Sequence, residues 1–234
     1  MPTPDPKSFE FFEQTWRVYR KIVDENWMSH REIFDEVTRT LNETISSEAR
    51  LLDLGCGDGG TMAPILKQIH YGHYLGVDAS EPALSLARQT LAEQGDKTHL
   101  CCSDMLDFLR HWSGEKFDLI LVSFSLHHLD PEQKREFLGL CKTVLSDQGL
   151  IIIVDVFRAE GQSRETYLND YCEDMANRWT TLTAQELEMV THHVRNFDFP
   201  EPLEDFIRIA DSVQLHPGRN ASWHGYHAHL TLKH

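Results

Sequence analysis

Long apolar runs, an excess of cations and paired cysteines are all missing from this sequence, and each absence closes off a class of function. No stretch approaches the roughly 20 apolar residues that a membrane-spanning helix needs, so a membrane is not an expected partner. Lys and Arg number 22 against 37 Asp and Glu, for a formal charge of -15. Sequence-independent affinity for nucleic acid comes mainly from Lys and Arg displacing counterions, so nucleic acid is not an expected partner either. The cysteines, Cys56, Cys101, Cys102, Cys141 and Cys172, form no C-x-x-C pair and are odd in number. They read as reduced side chains in or near a core. The opening Met1-Pro2-Thr3-Pro4-Asp5-Pro6 has neither a basic region nor an apolar stretch and does not read as a secretory leader. A cytoplasmic protein is expected, with the sequons at Asn42 and Asn220 incidental. Repeats, low-complexity tracts and interdomain linkers are also missing. What is there, 234 residues of which 41% are hydrophobic, suits one sizeable globular domain.

The most informative stretch is Leu51-Leu52-Asp53-Leu54-Gly55-Cys56-Gly57-Asp58-Gly59-Gly60, a short buried strand running into a glycine-rich turn and a helix. Glycines at alternate positions let the backbone turn sharply and approach a ligand, and the helix start presents unpaired N–H groups. Gly55, Gly57 and Gly60 also satisfy the G-x-G-x-x-G spacing of a nicotinamide-binding fold, so the glycines alone leave the cofactor open. The acids narrow it. A carboxylate at Asp58, about 5 Å from one phosphate charge of a dinucleotide, costs roughly 3 kcal/mol at an effective dielectric near 20. S-adenosylmethionine (SAM), which carries an ammonium and a sulfonium, has no such conflict. The next strand, Tyr74 to Asp78, ends in an acid 25 residues after Asp53, at the place where a ribose is held. A third strand, His99 to Cys102, delivers Ser103-Asp104-Met105, where Asp104 can accept from an adenine amino group and Met105 can pack on the ring. Acids at successive strand ends favour SAM.

On these residues the chain resembles the class I SAM-dependent methyltransferases. The resemblance is carried by Asp53-x-Gly55-x-Gly57-x-Gly59, Val77-Asp78, Ser103-Asp104-Met105, the run Phe117 to Leu129 with its His127-His128-Leu129 ending, and Leu145-Ser146-Asp147-Gln148-Gly149-Leu150 before a strand. It covers about residues 47 to 158, and the His-His-Leu ending is similar to small-molecule methyltransferases of ubiquinone and menaquinone biosynthesis. The resemblance implies that Asp53 with Gly55, Cys56, Gly57 and Gly59 holds the methionine end of SAM. It places Asp78 and Ala79 at the ribose, Asp104 and Met105 at the adenine, and Ser123 at the end of the fourth strand beside the cofactor. The Pro-Pro-aromatic signature of amino-methylating DNA and protein-glutamine enzymes is missing, as is the catalytic-cysteine motif of cytosine-5 enzymes. A small-molecule acceptor is therefore expected. The alternatives are a SAM-binding regulatory subunit without catalysis and a nicotinamide-dependent oxidoreductase.

Strand and helix patterns alternate from about residue 50, which predicts a doubly wound α/β fold with a mostly parallel seven-stranded sheet and helices on both faces. Residues 1–46 are expected to form an N-terminal helical cover of the same domain. Phe12, Trp16, Tyr19 and Val23 lie on one face of a helix over 7–27, and Ser29-His30-Arg31-Glu32 reads as a capping box for a second. The core is expected over 47–234, with a helical lid inserted at about 159–210. The tail predicts a hairpin, Val213 to His216 and Tyr226 to Lys233, turning at Pro217 to Asn220, and its reversed final strand suits the methyltransferase reading.

Methyl transfer is an in-line displacement, so the protein must mainly align the reactants and keep water out. His127 and His128 stand where the fourth strand meets the pocket and are candidate general bases. Asp155, in the fifth strand, reads as a buried and satisfied acid. Tyr19, Arg158 and Tyr167 are candidates for touching substrate, and Trp16, Trp27, Met28 and Tyr171 could complete an aromatic wall. Arg20 could meet the carboxylate of SAM. The histidines at 216, 224, 227 and 229 read as a polar strand face or hairpin rim, and no metal is expected. His192 and His193 project in different directions from a lid helix and make a poor chelate.

Overall fold

The computed structural model describes residues 16–234, so Phe12 and the first part of the expected N-terminal helix lie outside the described residues. Helix α1 runs over residues 16–24 and α2 over His30–Thr44. Strand β1 (Arg50–Leu54), α3 (Met62–Leu66), β2 (His73–Asp78), α4 (Glu81–Thr90) and β3 (Thr98–Cys102) follow. After them come α5 (Met105–His111), β4 (Phe117–Ser123), α6 (Pro131–Val144) and β5 (Leu145–Val156). The lid region holds α7 (Arg164–Arg178), α8 (Ala184–Phe197) and α9 (Leu203–Ser212), before the hairpin β6 (His216–His224) and β7 (His227–Lys233).

The strands form one seven-stranded sheet in the order β3-β2-β1-β4-β5-β7-β6. Strands β1 to β5 are parallel and β7 runs antiparallel to β5, as the reversed final strand predicted. The chain winds outward from β1 to β3 and then returns to β4 beside β1. That reversal opens a crevice at the carboxyl ends of β1 and β4, where ligands bind in open α/β sheets.

Alternation along the central strands sends side chains to two cores. Leu52, Leu54, Ile120, Val122, Ile151 and Ile153 meet α5, α6 and α9 on one face. Leu51, Leu119, Leu121, Ile152 and Val154 meet α2 and α3 on the other. Strand β5 sends Ile151 and Ile153 into the first core and Ile152 and Val154 into the second, which is why it is apolar on both faces. A third cluster lies beyond the sheet, where Val18 and Ile22 of α1 pack with Leu168, Tyr171 and Met175 of α7 and Val194 of α8. Among the described residues no helix is long and apolar enough to cross a membrane.

Local signals set most helix starts. Ser80 accepts from Ala83 N, and reciprocal capping boxes join Asp130 to Gln133 and Thr183 to Glu186. The box expected at Ser29 does not form. Ser29 sits in the left-handed region at φ 54°, and its side chain makes no capping hydrogen bond. Asn26 takes over the local bonding, accepting from Arg31 N and donating to the Glu32 carboxylate that the box would have used. The hairpin turn also falls later than expected. Gly225, at φ 65°, turns the chain between His224 and His227, while Pro217 to Asn220 lie inside β6. A register shift between Pro217 and Ala221 absorbs them, and Gly218 runs so close to β7 that a Cβ would stand 2.2 Å from Thr231 Oγ1.

Candidate functional site

The turn after β1 is built for close backbone approach. Gly55, Gly57 and Gly59 all have φ between 55° and 78°, which side-chain-bearing residues rarely adopt. A Cβ at Gly55 would stand 2.2 Å from Ser125 Oγ. Gly55→Ala is expected to cost about 2 kcal/mol or more in stability, from left-handed strain and the clash, and to weaken cofactor binding at least tenfold. Thermal melts and calorimetry of the purified variant read both.

Asp53 closes β1 beneath this turn and is 2% exposed. Its Oδ2 accepts from Tyr74 Oη at 2.7 Å, while its Oδ1 is buried without a hydrogen-bond partner. Burial pushes its carboxyl up to about 7, with the Tyr74 hydrogen bond pulling down and the Asp78 charge pushing up. An orphaned, buried acid oxygen under a glycine turn is the fit expected for a cationic ligand such as the ammonium of SAM. Asp78 holds the turn from the other side, accepting from Gly57 N at 2.9 Å and Ser80 N at 2.8 Å. Each of its oxygens keeps a second lone pair for a ribose hydroxyl. Ala79 is exposed beside it. Asp104 is exposed, and one oxygen caps α5 by accepting from Leu106 N and Asp107 N. Ser123 ends β4, Cys56 sits in the turn, and the half-buried Met105 packs on the first core.

Two expectations about charge change here. Asp58 Oδ1 accepts from Gly60 N, and its Oδ2 forms an ion pair with Arg20 at 3.1 Å. Arg20 thus meets Asp58 rather than standing free for a carboxylate. The argument against a dinucleotide then rests on Asp53 more than on Asp58. Trp16, on the same helix as Arg20, lies over Gly57, where a Cβ would come within 3.0 Å of its ring. Helix α1 therefore spans from the glycine turn to the cavity described next.

A cavity of about 870 Å³ opens beyond β4, between α1, α7 and α8. Its walls include Tyr19, Ile22, Phe124, Met175, Met189 and Phe197, and its polar floor is His127, His128 and Asp198. Phe124 holds a left-handed backbone at φ 49°, an uncommon cost for an aromatic residue and one often found at functional sites.

The floor rests on Asp155, which is 2% exposed. Its Oδ2 accepts from Leu126 N at 2.8 Å and His127 N at 3.1 Å. Its Oδ1 accepts from Val156 N at 2.7 Å and lies 2.5 Å from His127 Nδ1. Burial alone would lower the His127 pKa, but Asp155 reverses that and holds it above the ordinary histidine value. The same contact holds Asp155 below the ordinary carboxylate range against its burial. His127 Nδ1 therefore carries a proton toward Asp155, leaving Nε2 facing the cavity floor, 3.7 Å from Asp198 Oδ1. His128 Nδ1 is also 3.7 Å from that oxygen, and 3.1 Å from Phe197 O. Burial lowers His128 to about 4 and raises Asp198 to about 6. The segment bearing Asp198 is tied down by Phe199 N donating to His127 O at 2.7 Å and by the buried Lys134 donating to Phe199 O.

Of the expected substrate residues, Tyr19 lines the cavity, as do Met28 and Tyr171. Tyr167 does not: it is 1% exposed and packs behind the wall against Tyr171 and Tyr226. Arg158 also turns away, donating to the carbonyls of Pro200 and Gln162 instead of facing substrate. Trp27 stacks on Trp179 at 5.3 Å. In the tail, His216 pairs with Asp211, while His224 and His229 each stand 3.6 Å from Glu36. Asp198 and His193 were missed as site residues. No local pattern marks Asp198, and the only cue was an acid between Phe197 and Phe199 after an amphipathic helix.

Residues 52–151 match the family described as a methyltransferase domain. A carboxy-S-adenosyl-L-methionine synthase of Campylobacter fetus is 28% identical over 149 residues, 64% of this chain and 62% of that relative, so the match spans less than two thirds of the relative. One from Pasteurella multocida is 22% identical over 91% of this chain and 84% of its own length. An N-terminal Xaa-Pro-Lys N-methyltransferase 1 of Ailuropoda melanoleuca is 30% identical over 53% of this chain and 55% of its own. Among solved structures, a S-adenosylmethionine-dependent methyltransferase from Clostridium acetobutylicum superposes with a TM-score of 0.66 at 14% identity, covering 95% of this chain and 98% of that one. An O-methyltransferase family 2 protein from Planctomyces limnophilus, in complex with apigenin, gives 0.68 at 15% identity over 98% of this chain and 62% of its own.

Proposed function

We propose that this chain is a class I SAM-dependent methyltransferase that methylates an oxygen, nitrogen or carbon atom of a small, largely apolar molecule held in the cavity between α1, α7 and α8. The observation that carries the acceptor class is the cavity itself, about 870 Å³, walled largely by aromatic and aliphatic side chains over a floor of His127, His128 and Asp198. Bound SAM supplies an activated methyl group on a sulfonium. The protein's part is to hold the acceptor in line and dry. Asp53, the glycine turn, Asp78 and Ala79 hold the methionine and ribose ends, with Asp104, Met105 and Ser123 around the rest. The described part of the 1–46 segment, α1 and α2, acts as a cover and 159–210 as a lid over the 47–234 core. Tyr19 and Phe124 bound the acceptor near the cofactor.

His127 is the catalytic candidate. With Nδ1 pinned on Asp155, its Nε2 is placed to take the proton that an acceptor hydroxyl or amine gives up as its bond to the methyl carbon forms. His128, whose Nδ1 is engaged at Phe197 O, bounds the acceptor rather than accepting its proton. That a structural neighbour was solved in complex with apigenin supports this class. The relatives named carboxy-S-adenosyl-L-methionine synthase suggest a second chemistry, in which a carboxyl group joins SAM. That reading has less support, because among the described residues lining the cavity none is Lys or Arg to meet an anionic donor.

Transfer of labelled methyl from SAM to a panel of apolar phenols and aromatic amines tests the proposal. Product is expected from at least one of them, with His127→Ala lowering turnover by about 10² to 10⁴ while leaving the affinity for S-adenosylhomocysteine (SAH) unchanged. Undiminished turnover in His127→Ala would remove the base, and labelling confined to anionic acceptors would remove the acceptor class.

A further inference from the structure

We propose that His127, His128 and Asp198 form a binding site for one divalent transition-metal cation on the cavity floor. Among the described residues, this is the one group whose donor atoms, two imidazole nitrogens and a carboxylate oxygen, all lie within 4.8 Å of one another. The carboxylate oxygen is 3.7 Å from His127 Nε2 and 3.7 Å from His128 Nδ1, which exchanges its hydrogen bond to Phe197 O for the cation. A tetrahedral cation with donors at about 2.0 to 2.2 Å sets neighbouring donors about 3.3 Å apart, so each imidazole nitrogen needs to approach the carboxylate oxygen by only a few tenths of an ångström.

Three further features suit a cation. Asp198 Oδ1 is buried without a hydrogen-bond partner, on a side chain 7% exposed, and faces the imidazoles. Such an oxygen costs stability unless something supplies positive charge. Arg164, the neighbouring cation, gives its hydrogen bonds to the backbone oxygens of Asp198 and Arg195 instead of to the carboxylate. The second feature is Asp155 behind His127. Histidine ligands characteristically donate their other ring N–H to a carboxylate, which fixes the ring and raises its basicity, and the 2.5 Å contact at Nδ1 is that arrangement. The third is pre-organisation: Phe199 N to His127 O ties the segment after α8 that carries Asp198 to the turn that carries both histidines.

Two nitrogens and one oxygen suit a borderline cation such as Zn²⁺ or Co²⁺, and three protein ligands leave a position open toward the cavity. His193 Nε2, 3.9 Å from the same Asp198 oxygen and half exposed, can fill that position or yield it to an acceptor oxygen. The cation and the acceptor's proton compete for His127 Nε2. A loaded site would therefore activate the acceptor by coordination in place of His127.

Titration of chelator-treated protein with Co²⁺, followed by its visible absorption, tests the site without any methyl transfer, so its outcome is independent of the functional proposal. One Co²⁺ per chain is expected. Asp198→Asn and His128→Ala should each weaken uptake at least 100-fold, and His229→Ala, elsewhere on the sheet, should leave it unchanged. Asp198→Asn keeps the side-chain shape. Should it fail to fold, His128→Ala carries the test, because the His128 side chain is 41% exposed. No saturable uptake by the wild type, or uptake that survives both substitutions, would overturn the proposal.

Discussion

Asp53→Asn is expected to raise the stability of the ligand-free protein at pH 8 and, in the same molecule, to abolish SAH binding at concentrations that saturate the wild type. The stabilisation comes from removing a buried charge. Shifting a carboxyl from 3.8 to about 7 costs about 4 kcal/mol above both values. Asparagine keeps an oxygen for Tyr74 Oη but buries an amide without a partner, which returns about 2 kcal/mol. The net gain of about 2 kcal/mol corresponds to about 4 to 8 °C in Tm for a chain of this size. Because the folded pKa of this acid is raised, the folded state holds its proton longer than the unfolded state. Wild-type stability therefore falls as pH rises from about 4 to about 7, and the variant should lack that slope. Binding has the opposite sign. The charged form is the one that meets an ammonium, so wild-type affinity for SAH should rise by up to tenfold per pH unit until about pH 7 and then level. Melts and titrations across that range check both arms. A variant less stable than wild type at pH 8, or one that still binds SAH, would remove Asp53 from the site.

The second large effect is expected at Asp155. Asp155→Asn retains one oxygen for Leu126 N and His127 N but turns an amide nitrogen toward His127 Nδ1 and Val156 N. Two donors then face each other at each of those contacts. To escape the clash at the ring, His127 must adopt the tautomer with its proton on Nε2, which can no longer accept one. Turnover should fall by about 10² or more, while stability falls by about 2 to 4 kcal/mol for the broken buried pair. Asp155 touches no acceptor and is a positioning residue. The distinguishing readout is the pattern across variants: kcat should fall far more than KM rises, and Co²⁺ uptake should weaken about 10- to 100-fold alongside it. Loss of stability with turnover per folded molecule unchanged would reduce Asp155 to a structural acid.

Much of this was legible in the sequence because the signals are local. The glycine turn, the acids at the ends of β1 and β2, the capping residues at Ser80, Asp130 and Thr183, and the very apolar β5 each declare themselves within a few residues. The order of these signals sets the winding of the sheet. What was not legible depends on contacts across the fold. Asp155 lies 28 residues from His127 and reads alone as a satisfied core acid, which it is; that its partner is the histidine follows only from β4 and β5 lying side by side. Asp198 is brought to His127 and His128 by the docking of α8, and neither helix periodicity nor spacing foretells where a lid helix ends. Tyr167 and Arg158 sit at positions where a pocket-facing side chain was reasonable. Tyr167 instead falls on the face of α7 turned into its own aromatic cluster, and Arg158 finds carbonyl oxygens in the segment beside it. The hairpin was misplaced because Pro217-Gly218 reads as a turn when seen alone. Opposite Thr231, the same glycine permits close approach of two strands.

Calorimetric titration of the purified protein with SAH, with NAD as the parallel ligand, tests the central claim most directly. A saturating one-to-one isotherm for SAH beside a flat NAD trace is the predicted result. It should come with stabilisation of about 2.7 kcal/mol at a hundred times the dissociation constant. A flat SAH trace from folded protein would contradict the account, because Asp53 and the glycine turn would then be a buried cost with no ligand to offset it.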